Sequence, residues 1–544
     1  MHTFSGPGRS LAIAENGMAA TSHPLASKVA IQMLEQGGNA VDAAVAAAVL
    51  LGFCEPHMSG IGGDCFALIN PGGEDRVIGL NASGAAPAAL DSSRLRAAGA
   101  EIDPRSAAAV TVPGAVDGFV KLASDWGRLG LKTCLAPAIH YAEQGVPAAP
   151  RVARDWAESA ATLQGRGRDF YLSGGAPLSP GQVFRAPKQA EALRLIATEG
   201  RAGFYEGPVA ADMVAALTAA GGIHTLDDFA AQEAEYVTPI AGQYRGWDLI
   251  ELPPNGQGAA AILMANILSG FDLASLDPTG VDRVHLEAEA AKLAYDARNR
   301  FVADPAASAP YLDRMLAPGT AAKLAALIDM ERAMEAPARL TEAVHRETIC
   351  LTVVDRDRMA VSLIYSIFDS FGSGLASDRY GILFHNRGAG FTLDAGHPNE
   401  AGPGKRPMHT IIPAMLRRGG RIVMPFCVMG GQYQAAGHAR FLTNVVDYGL
   451  DPQTAIAAPR SFPGDDGLQL ETGYGTGVRA ALTARGHAVV TPAVGIGGAQ
   501  AIRIDADGTL WGASDPRKAG AAVGDCRAAR TAVARAQRKP RRPA

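Results

Sequence analysis

Thr348 is the residue of this chain whose type and setting best suit covalent chemistry. It heads an alternating, largely β-branched run, Ile349-Cys350-Leu351-Thr352-Val353-Val354, and Ser370-Phe371-Gly372-Ser373-Gly374 follows one hairpin later. The stretch before it, Met330 to Arg346, is charged and sparse in apolar residues, as a linker is. A threonine hydroxyl is a poor nucleophile at neutral pH and needs a base. A cut at Glu347–Thr348 would create an α-amine with a pKa of roughly 8 beside that hydroxyl. The amine can take the hydroxyl proton directly or through water, with no separate histidine. Taken alone, these residues fit the plainer reading better: a threonine that simply begins a strand.

The elements around Thr348 follow from periodicity. Leu25 to Gln36 carries apolar residues at helical spacing and stops at Gly37-Gly38. Asn39 to Phe53 is Ala/Val-rich throughout, which predicts a buried helix too short to span a membrane. Phe66 to Ile69 and Val77 to Leu80 read as strands around Pro71-Gly72-Gly73. Ala115 to Asn299 reads as mostly helical. Leu351 to Val354 and Ala360 to Ser366, joined by Asp355-Arg356-Asp357-Arg358, read as a hairpin.

Motifs along the chain point one way. They are Gly37-Gly38-Asn39-Ala40-Val41-Asp42, Glu55 to Asp64, Thr111-Val112-Pro113-Gly114, Leu252 to Gly258, Glu289 to Arg298, Pro403 to Pro407, Met429-Gly430-Gly431 and Gly512 to Arg517. In this order they resemble the γ-glutamyltranspeptidase family, from about Asn16 to about Gly524. Each motif is weak alone; the ordered set is specific. The resemblance implies an α+β fold, the four-layer αββα sandwich of N-terminal-nucleophile hydrolases. It also implies a proenzyme with a large fragment, residues 1–347, and a small one, 348–525, interwoven in one domain. Thr348 takes the place of the nucleophile. Ser366, eighteen residues on in the partner strand, matches a supporting hydroxyl. Gly430 and Gly431 match the glycines whose N–H groups face the developing oxyanion.

The departures bear on substrate. An arginine that holds a glutamyl donor's carboxylate is absent from Gly79 to Ser83, where Asn81 is the nearest occupant. Phe368 stands for an asparagine, Arg387 for a glutamine and Gly390 for an acidic residue that pairs the donor ammonium. His409-Thr410 stand where the family usually has a serine pair near the substrate. The set looks closer to a divergent branch that includes oxamate amidohydrolases. Arg387 becomes the candidate carboxylate clamp, with Phe368 shortening the pocket. The leading expectation is an amidohydrolase acting on a small amide whose acyl group carries a carboxylate. A conventional glutathione hydrolase or γ-glutamyltransferase, and an uncut scaffold of the same fold, are the alternatives.

Composition fits a globular enzyme. The chain has 544 residues, 48% hydrophobic, with a net charge of −4. That excludes a general attraction to nucleic acid or anionic membrane. The N-terminal stretch lacks a basic start and apolar core, which suggests a cytoplasmic protein. The six cysteines form no CxxC pair, so neither a zinc site nor a disulfide framework is expected. No cofactor or metal is expected. Residues 526–544 carry seven basic side chains and no acid, as a solvated tail does. The two fragments should associate, and some relatives pair, which leaves a homodimer open.

Overall fold

The Ile349–Val354 strand shows how the layers are built. It is buried along its whole length, and its side chains alternate between two apolar surroundings. Ile349, Leu351 and Val353 face the helices that cover one side, while Cys350 and Val354 face a second sheet. The strand lies inside a seven-stranded antiparallel sheet ordered Ala521–Asp525, Gly17–Thr21, Ile349–Val354, Ala360–Ser366, Asp64–Asn70, Ile78–Ala82 and Glu235–Val237. This computed structural model describes residues 8–335 and 348–525. Most of the linker before Thr348, Glu347 itself and the basic tail lie outside the described residues.

The facing sheet also has seven strands, ordered Ala12–Ala14, Leu510–Ser514, Gly498–Ile504, Arg421–Met429, Pro413–Arg418, Trp247–Glu251 and Ile240–Tyr244. Met18, Phe66, Ile250, Ile364, Met415, Met429 and Ile502 fill the space between the sheets. Helices complete the four layers. Ala40–Cys54 lies on the first sheet and is buried on every side, as a helix apolar all round beyond its first turn requires. Asn39 and Asp42 form a capping box at its start, and Asp42 also accepts from the Arg128 and Leu129 amides. Gly258–Leu268 and Tyr433–Val446 cover the second sheet. The fold is thus the αββα sandwich of the N-terminal-nucleophile hydrolases.

Two expectations need correction. Ala115 to Asn299 is mostly helical, but Glu235–Val237, Ile240–Tyr244 and Trp247–Glu251 are strands. They are short and sit at or near sheet edges, where neighbours rather than sequence periodicity make the strand. The cysteines also do more than expected. Cys350 and Cys427 form a disulfide across the two sheets, with Cα atoms 6.1 Å apart. The partners are 77 residues apart and meet only because their strands face each other.

Candidate active site

Thr348 is buried at the entrance to its strand, with 1% of its surface exposed. Ile349 pairs with Tyr365, so one further step in the same antiparallel register sets Thr348 opposite Ser366. Ser366 in turn pairs with Asp64 on the next strand. Three polar residues therefore line one end of the first sheet. Gly63 lets the chain pass this close: a Cβ there would stand 2.4 Å from the Ser366 carbonyl oxygen.

From Ser366 a chain of contacts reaches the other candidates. The Phe368 amide donates to Ser366 Oγ at 2.9 Å. Phe368 has φ +77°, a strained value for a side-chain-bearing residue, and its ring lies under the Arg387 guanidinium at 3.8 Å. Arg387 is 1% exposed and donates to Thr410 Oγ1 at 2.9 Å. Phe368, Arg387 and Thr410 are thus assembled from three separate segments, two loops and the start of the Arg387–Gly390 3-10 helix.

His409 and Asp64 form the second half of the cluster. His409 Nε2 lies 3.1 Å from Asp64 Oδ2, and its Nδ1 accepts from the Ile411 amide at 3.3 Å. That arrangement makes Nε2 the proton-bearing nitrogen and Asp64 its acceptor. Burial, then the Arg387 charge, push the His409 pKa down to about 3, so the ring is neutral at pH 7. Asp64 Oδ1 accepts from the Gly84 and Gly114 amides at 3.0 and 3.1 Å. His385 Nδ1 faces Asp64 Oδ2 at 3.5 Å while its Nε2 bonds the Thr111 carbonyl at 2.8 Å. Burial alone would raise the Asp64 pKa. His385, the His409 hydrogen bond and Arg387 overcome it and hold the carboxyl at about 2.

Asn81 joins less directly. Its Nδ2 donates to Asn255 Oδ1 at 2.9 Å, and its Oδ1 accepts from Ser83 Oγ at 2.7 Å. Asn255 Nδ2 donates to the Pro407 carbonyl at 2.8 Å, so this pair braces the loop that carries His409.

Gly430 and Gly431 close the Arg421–Met429 strand and precede the Tyr433–Val446 helix. Their φ values of +121° and +54° lie in the left-handed half of backbone space. Their carbonyls accept from the Tyr433 and Gln434 amides. The helix that follows adds the positive end of its dipole. Gln257 Nε2 holds both the Gly431 carbonyl, at 3.1 Å, and the Thr410 carbonyl, at 2.6 Å. Arg298 Nη1 in turn donates to Gln257 Oε1 at 2.9 Å.

Sequence reasoning did not single out Asp64, His385, Asn255, Gln257 or Arg298 as site residues. Four of them sat inside the quoted motifs, which was the available signal. Asp64 yields a test. Asp64→Asn is expected to destabilise the fold by about 1–3 kcal/mol, because one amide oxygen cannot serve both glycine amides and His409. Asp64's pKa is depressed from 3.8 to about 2, so its stabilisation is present above about pH 4 and lost as pH falls through about 2. Denaturant midpoints of variant and wild type should converge over that window; a constant gap would mean that the charge is not the source.

Facing sheets under helices, with a buried threonine heading a central strand, are the frame of the N-terminal-nucleophile hydrolases. Within that class the chain belongs to the gamma-glutamyltranspeptidase family, whose family model matches residues 26–525. It is 35% identical over 520 residues to the glutathione hydrolase-like YwrD proenzyme of Bacillus subtilis, covering 93% of this chain and 98% of that protein. It is 35% identical over 530 residues to the oxamate amidohydrolase proenzyme of Klebsiella pneumoniae, covering 94% and 99%. The crystal structure of cephalosporin acylase from Bacillus halodurans superposes with a TM-score of 0.89 at 35% identity, covering 96% and 98%. The chain is therefore an enzyme of the amidohydrolase type. Among the described residues no helix is long and apolar enough to cross a membrane.

Proposed function

We propose that this chain is a proenzyme that cuts its own Glu347–Thr348 bond and then hydrolyses a small amide whose acyl part bears a carboxylate. The observation that carries the reading is Arg387. A guanidinium 1% exposed is stacked on Phe368 and tied through it to Ser366, the residue that the strand register sets opposite Thr348. Opposite charge in such a setting suits a carboxylate through paired hydrogen bonds.

The reaction follows from the groups present. Thr348 Oγ attacks the amide carbon as its proton passes to the freed α-amine. Negative charge gathers on the carbonyl oxygen, where the N–H groups of Gly430 and Gly431 receive it. The C–N bond breaks, the proton goes to the leaving amine, and an ester of Thr348 remains. Water attacks that ester and gives a proton to the same amine, which passes it to the departing Thr348 Oγ as the acid is released. Ser366 orients the nucleophile. Asp64 and His409 hold the Arg387–Thr410 pair in place, with His409 acting through Asp64 rather than on substrate.

Two features favour an acyl group that is shorter than glutamyl or lacks its α-ammonium. Phe368, buried against Arg387, stands where the family has an asparagine that holds the donor and would shorten the donor pocket, and Gly390 offers no carboxylate for an α-ammonium. A buried ammonium without its partner is costly. The name of the Klebsiella relative agrees with this choice, since oxamate is a carboxylate-bearing amide of the smallest kind.

A panel of oxamate, a glutaryl amide, glutathione and a γ-glutamyl anilide tests the reading. Oxamate or the glutaryl amide should turn over with the highest kcat/KM. Preference for glutathione would replace it with a conventional glutathione hydrolase, and an uncut, inactive chain would leave a scaffold. Arg387→Gln should lower kcat/KM for the preferred acid by about 10- to 100-fold while self-cleavage proceeds. Arg387→Lys should recover only part of this, since an ammonium cannot make the paired contact.

A further inference from the structure

We propose that His285, Glu289 and His487 form a site for one divalent transition-metal ion of the zinc class. His285 and Glu289 lie one turn apart on a single face of the Val281–Phe301 helix. His487 follows the Thr476–Ala484 helix, 202 residues from His285. The three side chains are buried, and one potential ligand atom from each lies within 4.8 Å of the others. Sequence spacing showed no metal cluster because the second imidazole arrives from a distant segment.

The proton positions favour a ligand role. His285 Nε2 lies 2.8 Å from the Asp329 carbonyl oxygen, which can only accept, so that nitrogen bears the proton. The lone pair on His285 Nδ1 therefore faces His487 Nε2, 2.8 Å away. A backbone carbonyl that fixes the tautomer of a ligating histidine is the usual outer support of such sites. An ion about 2.1 Å from each nitrogen sets them roughly 3.4 Å apart, so the rings need to part by about half an ångström. The proton now shared between them moves to His487 Nδ1.

Glu289 supplies the third ligand. Its Oε2 accepts from the Met334 amide at 2.9 Å and its Oε1 from Lys292 Nζ at 2.8 Å. The Lys292 ammonium thus holds the place of a positive charge. Lys292 is partly exposed and can turn to solvent when an ion replaces it. Two imidazoles, one carboxylate and a water complete the four-coordinate set that zinc takes.

The site also has a location that gives it a use. Asp329 and Met334 belong to the last described stretch before Thr348, and the Ala333 amide donates to the Arg485 carbonyl at 2.7 Å. An ion would clip that end to the His487 segment. That it joins two separate fragments rests on the proposed cut; that it binds does not.

The test uses the untagged full-length protein, stripped with chelator and titrated with Zn²⁺ by calorimetry. One ion per chain is expected, with a rise in Tm. His487→Ala should abolish the binding. Lys292→Ala should tighten it by roughly tenfold, because a competing charge is gone. The uncut Thr348→Ala chain should bind as well as wild type, which separates this site from the fate of the proposed cleavage. No stoichiometric binding, or binding unchanged in His487→Ala, overturns the proposal. Should His487→Ala not fold, Co²⁺ added to wild type decides: intense visible bands of a four-coordinate ion support the site, and a weak six-coordinate spectrum refutes it.

Discussion

Thr348→Ala is expected to run as one uncut chain of 544 residues and to hydrolyse amides at least about 10⁴-fold more slowly than the processed enzyme. Both effects come from one atom. In the proposed reaction the Oγ that attacks the backbone carbonyl of residue 347 is the Oγ that later attacks substrate. Without it neither the new α-amine nor the nucleophile exists. Intact mass after denaturation reads the first effect: two fragments for wild type, the smaller beginning at Thr348, and a single mass for the variant. The fold should survive, because Thr348 starts its strand and the register from Ile349 to Val354 does not depend on the hydroxyl. Thr348→Ser keeps the oxygen and should still cut, more slowly. For processed wild type, kcat/KM should rise with pH as the α-amine, with an ordinary pKa of roughly 8, loses its proton. A cut Thr348→Ala chain, or activity without cleavage, would sink the mechanism.

The second large effect is expected at Gly430. Gly430→Ala should lower kcat by about 10²–10³-fold, the usual consequence of misplacing one oxyanion donor. The reason is spatial. Gly430 has φ +121°, and a Cβ built there stands 2.8 Å from the Gly497 Cα, a backbone atom that cannot swing aside. The strand end must move, and its N–H groups with it. KM should change far less than kcat, since the donors act on charge that appears only in the transition state. Processing should slow as well, because self-cleavage passes through the same kind of oxyanion. A variant with wild-type kcat would remove Gly430 from the proposed reaction. Equal losses in Tm and activity would make the effect one of folding alone.

Much of the frame was legible along the chain. The Ala/Val-rich run from Asn39 to Phe53 read as a buried helix, and the observed Ala40–Cys54 helix is buried on every side. The alternation from Ile349 onward read as a strand, and Ile349–Val354 is one. The hairpin partner and the Gly-Gly turn after Met429 were equally plain, because turns, periods and glycine requirements are local properties. The motifs placed Thr348, Ser366 and the glycine pair in order.

Other features depend on elements distant in sequence coming into contact. The strands between Glu235 and Glu251 exist because sheets accept them at or near their edges. The Cys350–Cys427 disulfide exists because two sheets face each other. Arg387 was a candidate clamp from the sequence, but its stacking on Phe368, its bond to Thr410 and its charge coupling to Asp64 came only from the fold. His285 and His487 were two unrelated histidines until a helix and a turn brought their rings to 2.8 Å. Residue type and period by themselves determined the buried helix, the strand that Thr348 heads and its hairpin, while the layers and the class of chemistry followed from the resemblance carried by the ordered motifs. Tertiary structure decided which charges meet, because hydrogen bonds, ion pairs and ligand sets act over a few ångströms, and only the folded chain brings residues hundreds apart within that range.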